Sequence, residues 1–345
     1  MKYRHLGSSG VRVSQICLGT MSFGDQWGFG ASPEASHSVL KAFADAGGNF
    51  IDTANKYHGG QTEEIVGEFV ASDRDYWVLA TKYTLSMRAD DPNACGNGRK
   101  NMRRAVEASL RRLRTDYIDL LWVHAWDFCT GVDEVMRGLD DLVREGKVNY
   151  VGISDAPAWV VAHANTVADL RGWSRFIGLQ IQWSLCERTV ERELVPMARA
   201  FDIGVTPWGP LHAGVLTGKY TRGHGPGDSK RAAFNESRLT ERNLEIARTV
   251  DAVADELGVT SAQVAVAWLE HQGADVFPIV GARKPEQIVD VLGSVDVALT
   301  ADQRARLDEV SAISLGFPHD FVGSGARSVI FGEVGDKLEP PKPRG

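Results

Sequence analysis

The stretch FIDTANKYHGGQTEE, residues 50–64, holds an apolar opening that stops on a carboxylate, Asp52. Tyr57 follows five residues later, then a glycine pair, then an acidic run that reads as a helix start. An apolar segment without polar alternation is the pattern of a strand covered on both faces. Followed by a loop and a helical pattern, it makes one strand–helix unit. A plain connecting loop needs neither the carboxylate nor the tyrosine, so the question is what the rest of the chain brings to the same place.

The unit recurs along the chain. Strand-like segments lie at 16–19, 50–52, 77–81, 118–123, 150–153, 178–182, 205–208 and 276–280, which makes eight. Helical spacing links Met102, Val106, Leu110 and Leu113, and again Val132, Val135, Met136, Leu139, Leu142 and Val143. Gly47, Gly146 and Gly204 each stand just ahead of a strand, where a left-handed residue ends the preceding helix. Eight such units predict an α/β fold, a (β/α)8 TIM barrel. The rival, a doubly wound sheet, wants G-x-G-x-x-G after its first strand, and GTMSFG does not match. The opening YRHLGSSGVRVSQ predicts an N-terminal β-hairpin turning at residues 7–10. Residues 221–238, rich in glycine and charge, read as a mobile loop. We expect one domain over residues 1–335 and a flexible tail at 336–345.

Composition narrows the function. The chain has 345 residues, 43% of them apolar, and a net charge of −7 without a long basic run. Nucleic acid is therefore not the expected partner. The start MKYRHLGSSG lacks the apolar core of a secretory signal, and no run approaches the ~18 apolar residues of a membrane span. Cys17, Cys95, Cys129 and Cys186 are scattered and form no C-x-x-C pair. We expect a reduced, cytoplasmic protein that binds no metal.

In a barrel of this kind, polar residues at the C-terminal strand ends are the catalytic candidates. Asp52 ends the second strand, with Tyr57 in its loop; Lys82 ends the third and His124 the fourth. Singly, each has an ordinary reading: a turn cap, a packing aromatic, a rim charge, a structural histidine. Those readings do not explain four such residues at three consecutive strand ends. Their chemistry does. Adding hydride to a carbonyl makes an alkoxide that needs a proton, and a phenol with a pKa of about 10 is a reluctant partner near neutrality. A nearby ammonium favours the phenolate, so Lys82 is expected to lower the Tyr57 pKa, with Asp52 holding Lys82. His124 can donate to the carbonyl oxygen.

FIDTANKY, LATKY and DLLWVH resemble, in order, the Asp, Tyr, Lys and His segments of the aldo-keto reductase superfamily. YRHLGSSGVRVSQICLGTMSFG, WGPLHAGVLTGKY and GARKPEQI are similar too, so that the likeness runs from about residue 1 to 293. It resembles the bacterial type, similar to potassium-channel β-subunit-like reductases. The resemblance implies NAD(P)H-dependent carbonyl reduction without metal, with Tyr57 as general acid.

A nicotinamide would lie across the strand ends, its phosphates near the last strands. Trp208 can stack on the ring, and the backbone of Gly209, Pro210, Leu211, Ala213, Gly214, Leu216, Gly218 and Lys219 can meet the diphosphate. This segment is no P-loop, since Ala213 and Tyr220 break that motif. By resemblance, Ser154, Asp155 and Gln180 hold the carboxamide, while Gly19, Thr20 and Met21 line the cofactor from the first loop. Gly281 and Arg283 open the last barrel helix; Arg283 suits a 2′-phosphate, which favours NADPH, with NADH as the alternative. Gln287 and Asp290, on one helix face, can hold the adenosine. Two positions depart from the family pattern: Gly209 stands where serine is common and Val291 where asparagine is. Lys230 or Arg231 can close over the diphosphate.

Phe23, Trp27 and Trp126 are expected to wall a substrate pocket, with Phe317, His319 and Phe321 of segment 316–332 covering it. The substrate is a small carbonyl or alcohol. The competing readings are a cofactor-binding regulatory subunit, as in the channel β subunits, and a non-enzymatic barrel that binds a ligand.

Overall fold

The computed structural model describes residues 1–223, 236–323 and 326–338. A hairpin opens the chain, β1 (Tyr3–His5) against β2 (Arg12–Ser14), turning at residues 7–10 as expected. Eight parallel strands follow: β3 (Cys17–Gly19), β4 (Phe50–Asp52), β5 (Val78–Tyr83), β6 (Ile118–Val123), β7 (Val148–Ser154), β8 (Phe176–Gln182), β9 (Gly204–Trp208) and β10 (Ile279–Val280). They run in the order β10-β3-β4-β5-β6-β7-β8-β9. The ring closes just ahead of β10, where the Val205 N–H donates to Asp275 O at 2.7 Å and the Phe277 N–H to Val205 O at 2.8 Å. This is the expected (β/α)8 barrel. The helices α1 (Pro33–Asp45), α2 (Gln61–Val70), α3 (Arg99–Leu113), α4 (Val132–Arg144), α5 (Ala158–Arg171) and α6 (Leu194–Ala200) follow β3 to β8 in turn. After β9 come α7 (Glu241–Leu257) and α8 (Ser261–Glu270), and after β10 α9 (Pro285–Leu292) and α10 (Ala301–Val310).

Strand residues alternate between two apolar layers, which is why the strands carry no polar alternation. Leu121 and Val123 of β6 join the large core under the helices, whereas Leu120 and Trp122 join the smaller one inside the barrel. The inner layer is shaped by one large ring. Trp122 is in register with Gly152, Gly152 with Gly178, and Gly178 with Gly204. A Cβ at Gly152 or Gly178 would stand 2.4 or 2.7 Å from the Trp122 ring, and one at Gly204 2.6 Å from Leu6. Close packing leaves no room for even one methyl there. The hairpin thus plugs the N-terminal end of the barrel with Leu6, which is fully buried.

This corrects the reading of Gly204. Gly47 and Gly146 do adopt positive φ, but the left-handed residue after α6 is Asp202, at φ 54°. Gly204 is a strand residue, and its value is its missing side chain.

The C-terminal segment is fastened to the loop between β8 and α6. His319 lies 2.9 Å from Glu193 and Arg192 donates to Ser314 O at 2.9 Å, both ahead of α6. The Phe317 and Phe321 rings, 87% and 64% exposed, lie beside each other with centroids 6.4 Å apart. Lys230, Arg231 and the tail from 339 onward lie outside the described residues. Ahead of them, Thr221 and Arg222 are tied to Asp251 and Asp255 of α7. No described helix is long and apolar enough to cross a membrane.

Candidate active site

The four strand-end residues meet. Parallel pairing continues past β4, with the Thr53 N–H on Ala80 O at 2.9 Å and the Asn55 N–H on Lys82 O at 3.2 Å. That ladder carries the chain across the tip of β5 before it must turn back into α2. The turn uses three consecutive left-handed residues, His58 (φ 47°), Gly59 (φ 66°) and Gly60 (φ 106°), which explains the glycine pair. Behind it, the buried Glu63 accepts from Thr81 at 2.5 Å and from Arg112 at 2.7 Å, locking α2 to β5 and α3.

Lys82 is the hub, and it lies one residue inside its strand, which runs on to Tyr83. Its ammonium donates to Asp52 Oδ2 at 2.5 Å, to Thr53 O at 2.8 Å and to Tyr57 Oη at 3.1 Å, using all three of its protons. Gln180 Nε2 donates to the other Asp52 oxygen at 3.0 Å. The Tyr57 ring meets the His124 ring edge-on, with centroids 6.0 Å apart.

Charge follows from this geometry. Burial works against the Lys82 charge, but the Asp52 carboxylate and the Tyr57 oxygen outweigh it and hold its pKa above the ordinary value. For Tyr57, burial raises the pKa and outweighs the pull of Lys82, with Asp52 adding to the rise. The expected lowering of the Tyr57 pKa is therefore overturned: Asp52 opposes the ammonium's field, and desolvation decides the sign. The phenol keeps its proton at neutrality, as a proton donor must. Burial, with the Lys82 charge adding, holds the His124 pKa down at about 3, so its imidazole is neutral. Its Nδ1 is buried without a hydrogen-bond partner among the described residues, as is Thr53 Oγ1.

The candidate cofactor residues line the same strand ends. Ser154 and Gln180 are buried at the tips of β7 and β8, and Trp208 Nε1 donates to Asp155 Oδ1 at 3.1 Å. Thr20 Oγ1 donates to Asp52 O at 2.9 Å, Gly19 packs against Ile279, and Met21 is 41% exposed. Beyond β9 the backbone at His212, Ala213, Gly214 and Gly218 is left-handed, and the Lys219 ammonium lies over Gly214, 3.0 Å from where a Cβ would sit. A cation above such a turn fits a diphosphate. Gly209 is left-handed too, at φ 70°, a conformation that serine adopts only with strain, which accounts for one departure from the family pattern.

After β10 the picture is mixed. The Arg283 N–H donates to Gln287 Oε1 at 2.9 Å, so Gln287 holds the turn into α9. Asp290 accepts from Thr260 at 3.2 Å and from Gln263 at 3.1 Å, at the start of α8. Val291 is buried in the core.

The three expected pocket aromatics differ in exposure. Trp27 is 38% exposed and meets Tyr57 edge-on at 6.2 Å. Phe23 is fully buried, its carbonyl accepting from Thr62 at 2.6 Å, and Trp126 is 8% exposed in the same core. Both pack into the large core under the helices. Two aromatic residues went unread in the sequence. Phe128, 69% exposed, sits at φ 57° in the loop after His124, a strained position for a bulky side chain. His58 is fully buried beside Tyr57. Its place in the quoted stretch, between the tyrosine and the glycine pair, was the signal available.

The family model described as the aldo/keto reductase family matches residues 15–312. A norsolorinic acid reductase of Emericella nidulans is 42% identical over 330 residues, covering 91% of this chain and 82% of the relative. An aryl-alcohol dehydrogenase [NADP(+)] of Phanerodontia chrysosporium is 38% identical over 336 residues, covering 92% and 87%. A putative aryl-alcohol dehydrogenase of Saccharomyces cerevisiae is 36% identical over 330 residues, covering 92% and 88%. With the barrel and the ordered Asp52, Tyr57, Lys82 and His124 set, these matches place the chain in the aldo/keto reductase family, as an NAD(P)H-dependent oxidoreductase.

Proposed function

We propose that the chain reduces an aryl aldehyde or ketone to its alcohol with NADPH, and runs the reverse oxidation at the same site. The observation that carries this is the contact of Lys82 with both Asp52 and Tyr57, beside a neutral His124. Bound NADPH supplies the hydride. Trp208, Ser154, Asp155 and Gln180 would hold its nicotinamide, the left-handed backbone and Lys219 its diphosphate, and Arg283 its 2′-phosphate. The chain's own part is proton chemistry. His124 donates a hydrogen bond that orients the carbonyl oxygen. Tyr57 passes its proton to that oxygen as negative charge builds on it. The ammonium at 3.1 Å then faces a tyrosinate, and its attraction for the anion offsets part of the cost of ionising a buried phenol. Asp52 and Thr53 keep Lys82 aimed at the oxygen throughout.

An aryl substrate is favoured by two observations. Trp27 and Phe128 are exposed aromatic rings on the loops that carry the site, and relatives are named for norsolorinic acid and for aryl alcohols. The test is a fluorescence titration with NADPH and NADH, followed by a screen of aryl aldehydes for NADPH oxidation. NADPH should bind tighter than NADH. Arg283→Ala should weaken NADPH about 10–100-fold, the loss of a charge-assisted contact, and leave NADH nearly unchanged. Equal losses would remove Arg283 from the 2′-phosphate. Tight NADPH binding without turnover of any carbonyl would favour the regulatory-subunit reading.

A further inference from the structure

His58 is not one of the reacting groups, yet the loop joining β3 to α1 is wrapped around it. The Trp27 N–H donates to its Nδ1 at 3.4 Å, and its Nε2 lies 3.2 Å from Met21 O. One ring nitrogen accepts and the other donates, which defines a single neutral tautomer. The Trp27 indole stacks on the imidazole at 4.5 Å and 22°, and Phe29 meets it edge-on at 5.8 Å. Gly24 approaches so closely that a Cβ would stand 2.9 Å from the His58 ring. The ring is fully buried, and its backbone is held at φ 47°. Its own loop would be less strained without a β-carbon there, so the side chain has a reason to be present. That reason lies in Trp27, whose ring also meets Tyr57 edge-on.

We infer that His58 is a positioning residue: it clamps the β3–α1 loop so that the Trp27 indole stands as a fixed wall beside Tyr57, and thereby sets how tightly a flat aryl substrate is held. This rests on the reductase reading above. The α2 start assists from the side, since Gln61 exchanges hydrogen bonds with Asp25 at 3.1 and 3.2 Å. Those bonds fasten the middle of the loop. Among the described residues His58 alone hydrogen-bonds to both Met21 and Trp27, expected on the cofactor and substrate sides.

The test compares His58→Phe, which keeps a stacking ring without its hydrogen bonds, with His58→Asn. Asparagine tolerates the left-handed backbone and offers an oxygen to the Trp27 N–H. With NADPH saturating and naphthaldehyde as substrate, His58→Phe should raise KM roughly 3–10-fold while kcat moves far less, the mark of lost substrate binding. His58→Asn should restore much of the loss. In a Trp27→Ala background His58→Phe should add little, because the two act as one unit. Amide exchange over residues 20–32 of the NADPH complex should rise in His58→Phe. Unchanged KM and unchanged exchange in a folded variant, or additive losses with Trp27→Ala, would overturn the inference. Absence of aryl-carbonyl turnover in the unmodified chain would instead remove the functional reading, and the exchange result would still decide whether the clamp exists.

Discussion

At its N-terminal end the barrel is closed by Leu6 against Gly204, with Trp122 fitted inside it against Gly152 and Gly178, while its C-terminal end holds an ammonium, a carboxylate, a phenol and an imidazole. The first end is apolar, and its fit leaves no space for an added methyl. The second is polar, with His124 Nδ1 and Thr53 Oγ1 buried without partners among the described residues, as is Trp122 Nε1 inside the barrel. Buried polar groups are ordinarily satisfied, because each unsatisfied one costs about 1–3 kcal/mol. The first end is filled by apolar packing and the second by a cluster of paired polar groups. The same strands serve both, which is how a (β/α)8 barrel separates holding the fold from doing the chemistry.

If that division is real, substitutions at the two ends should fail in different ways. The largest effect is expected at the hub. Lys82→Met should lower kcat by about 10²–10⁴-fold, since the proton donor loses its charge partner. It should also lower stability by roughly 3–5 kcal/mol, because Asp52 is left buried without its cation. Turnover assays beside denaturant melts read both, and a variant of normal stability would show that Asp52 finds another partner. Next is Leu6→Ala, expected to lower stability by about 2–5 kcal/mol with kcat and KM unchanged below the melting range. An altered KM would mean that the two ends are coupled.

The smallest effect per unit of pH concerns His124. Its folded-state pKa of about 3 lies below the ordinary 6.5, so the unfolded chain takes up the proton first on acidification. The associated stability is fully present above pH 6.5 and is lost as pH falls toward 3. His124→Gln should flatten the acid limb of the stability profile by up to roughly 1.4 kcal/mol per pH unit, less where water still reaches the ring. An unchanged limb would show that the imidazole is not held neutral.

Much of this was readable from the residues alone, for definable reasons. Parallel strands covered on both faces announce themselves as apolar runs, so all eight were found, and Asp52, Lys82 and His124 stood out because they interrupt or end such runs. Bounds at β5 and β10 moved by a few residues, where hydrogen bonding and apolar pattern part company. What pattern cannot carry is which way a loop side chain points. Phe23, Trp27 and Trp126 look alike in sequence, yet only Trp27 faces outward. The role of Gly204 was misread because its neighbour in space, Leu6, lies in the hairpin and is reached only through strand register. The sign of the Tyr57 shift was misread because the Lys82 charge is visible in the sequence and desolvation is not. His58 was passed over because its importance comes from a left-handed turn that folds its ring back under a distant loop.

The most direct test of the central claim is a single-turnover measurement on Tyr57→Phe. The variant is loaded with NADPH, mixed with an aryl aldehyde and followed by loss of reduced cofactor, with the NADPH Kd measured in parallel. The account predicts an unchanged Kd and a reduction step slowed by about 10²–10⁴-fold, because only the proton donor is missing. Reduction at nearly the rate of the unmodified chain would contradict it, and would leave the Asp52–Lys82–Tyr57 cluster as structure without a part in the reaction.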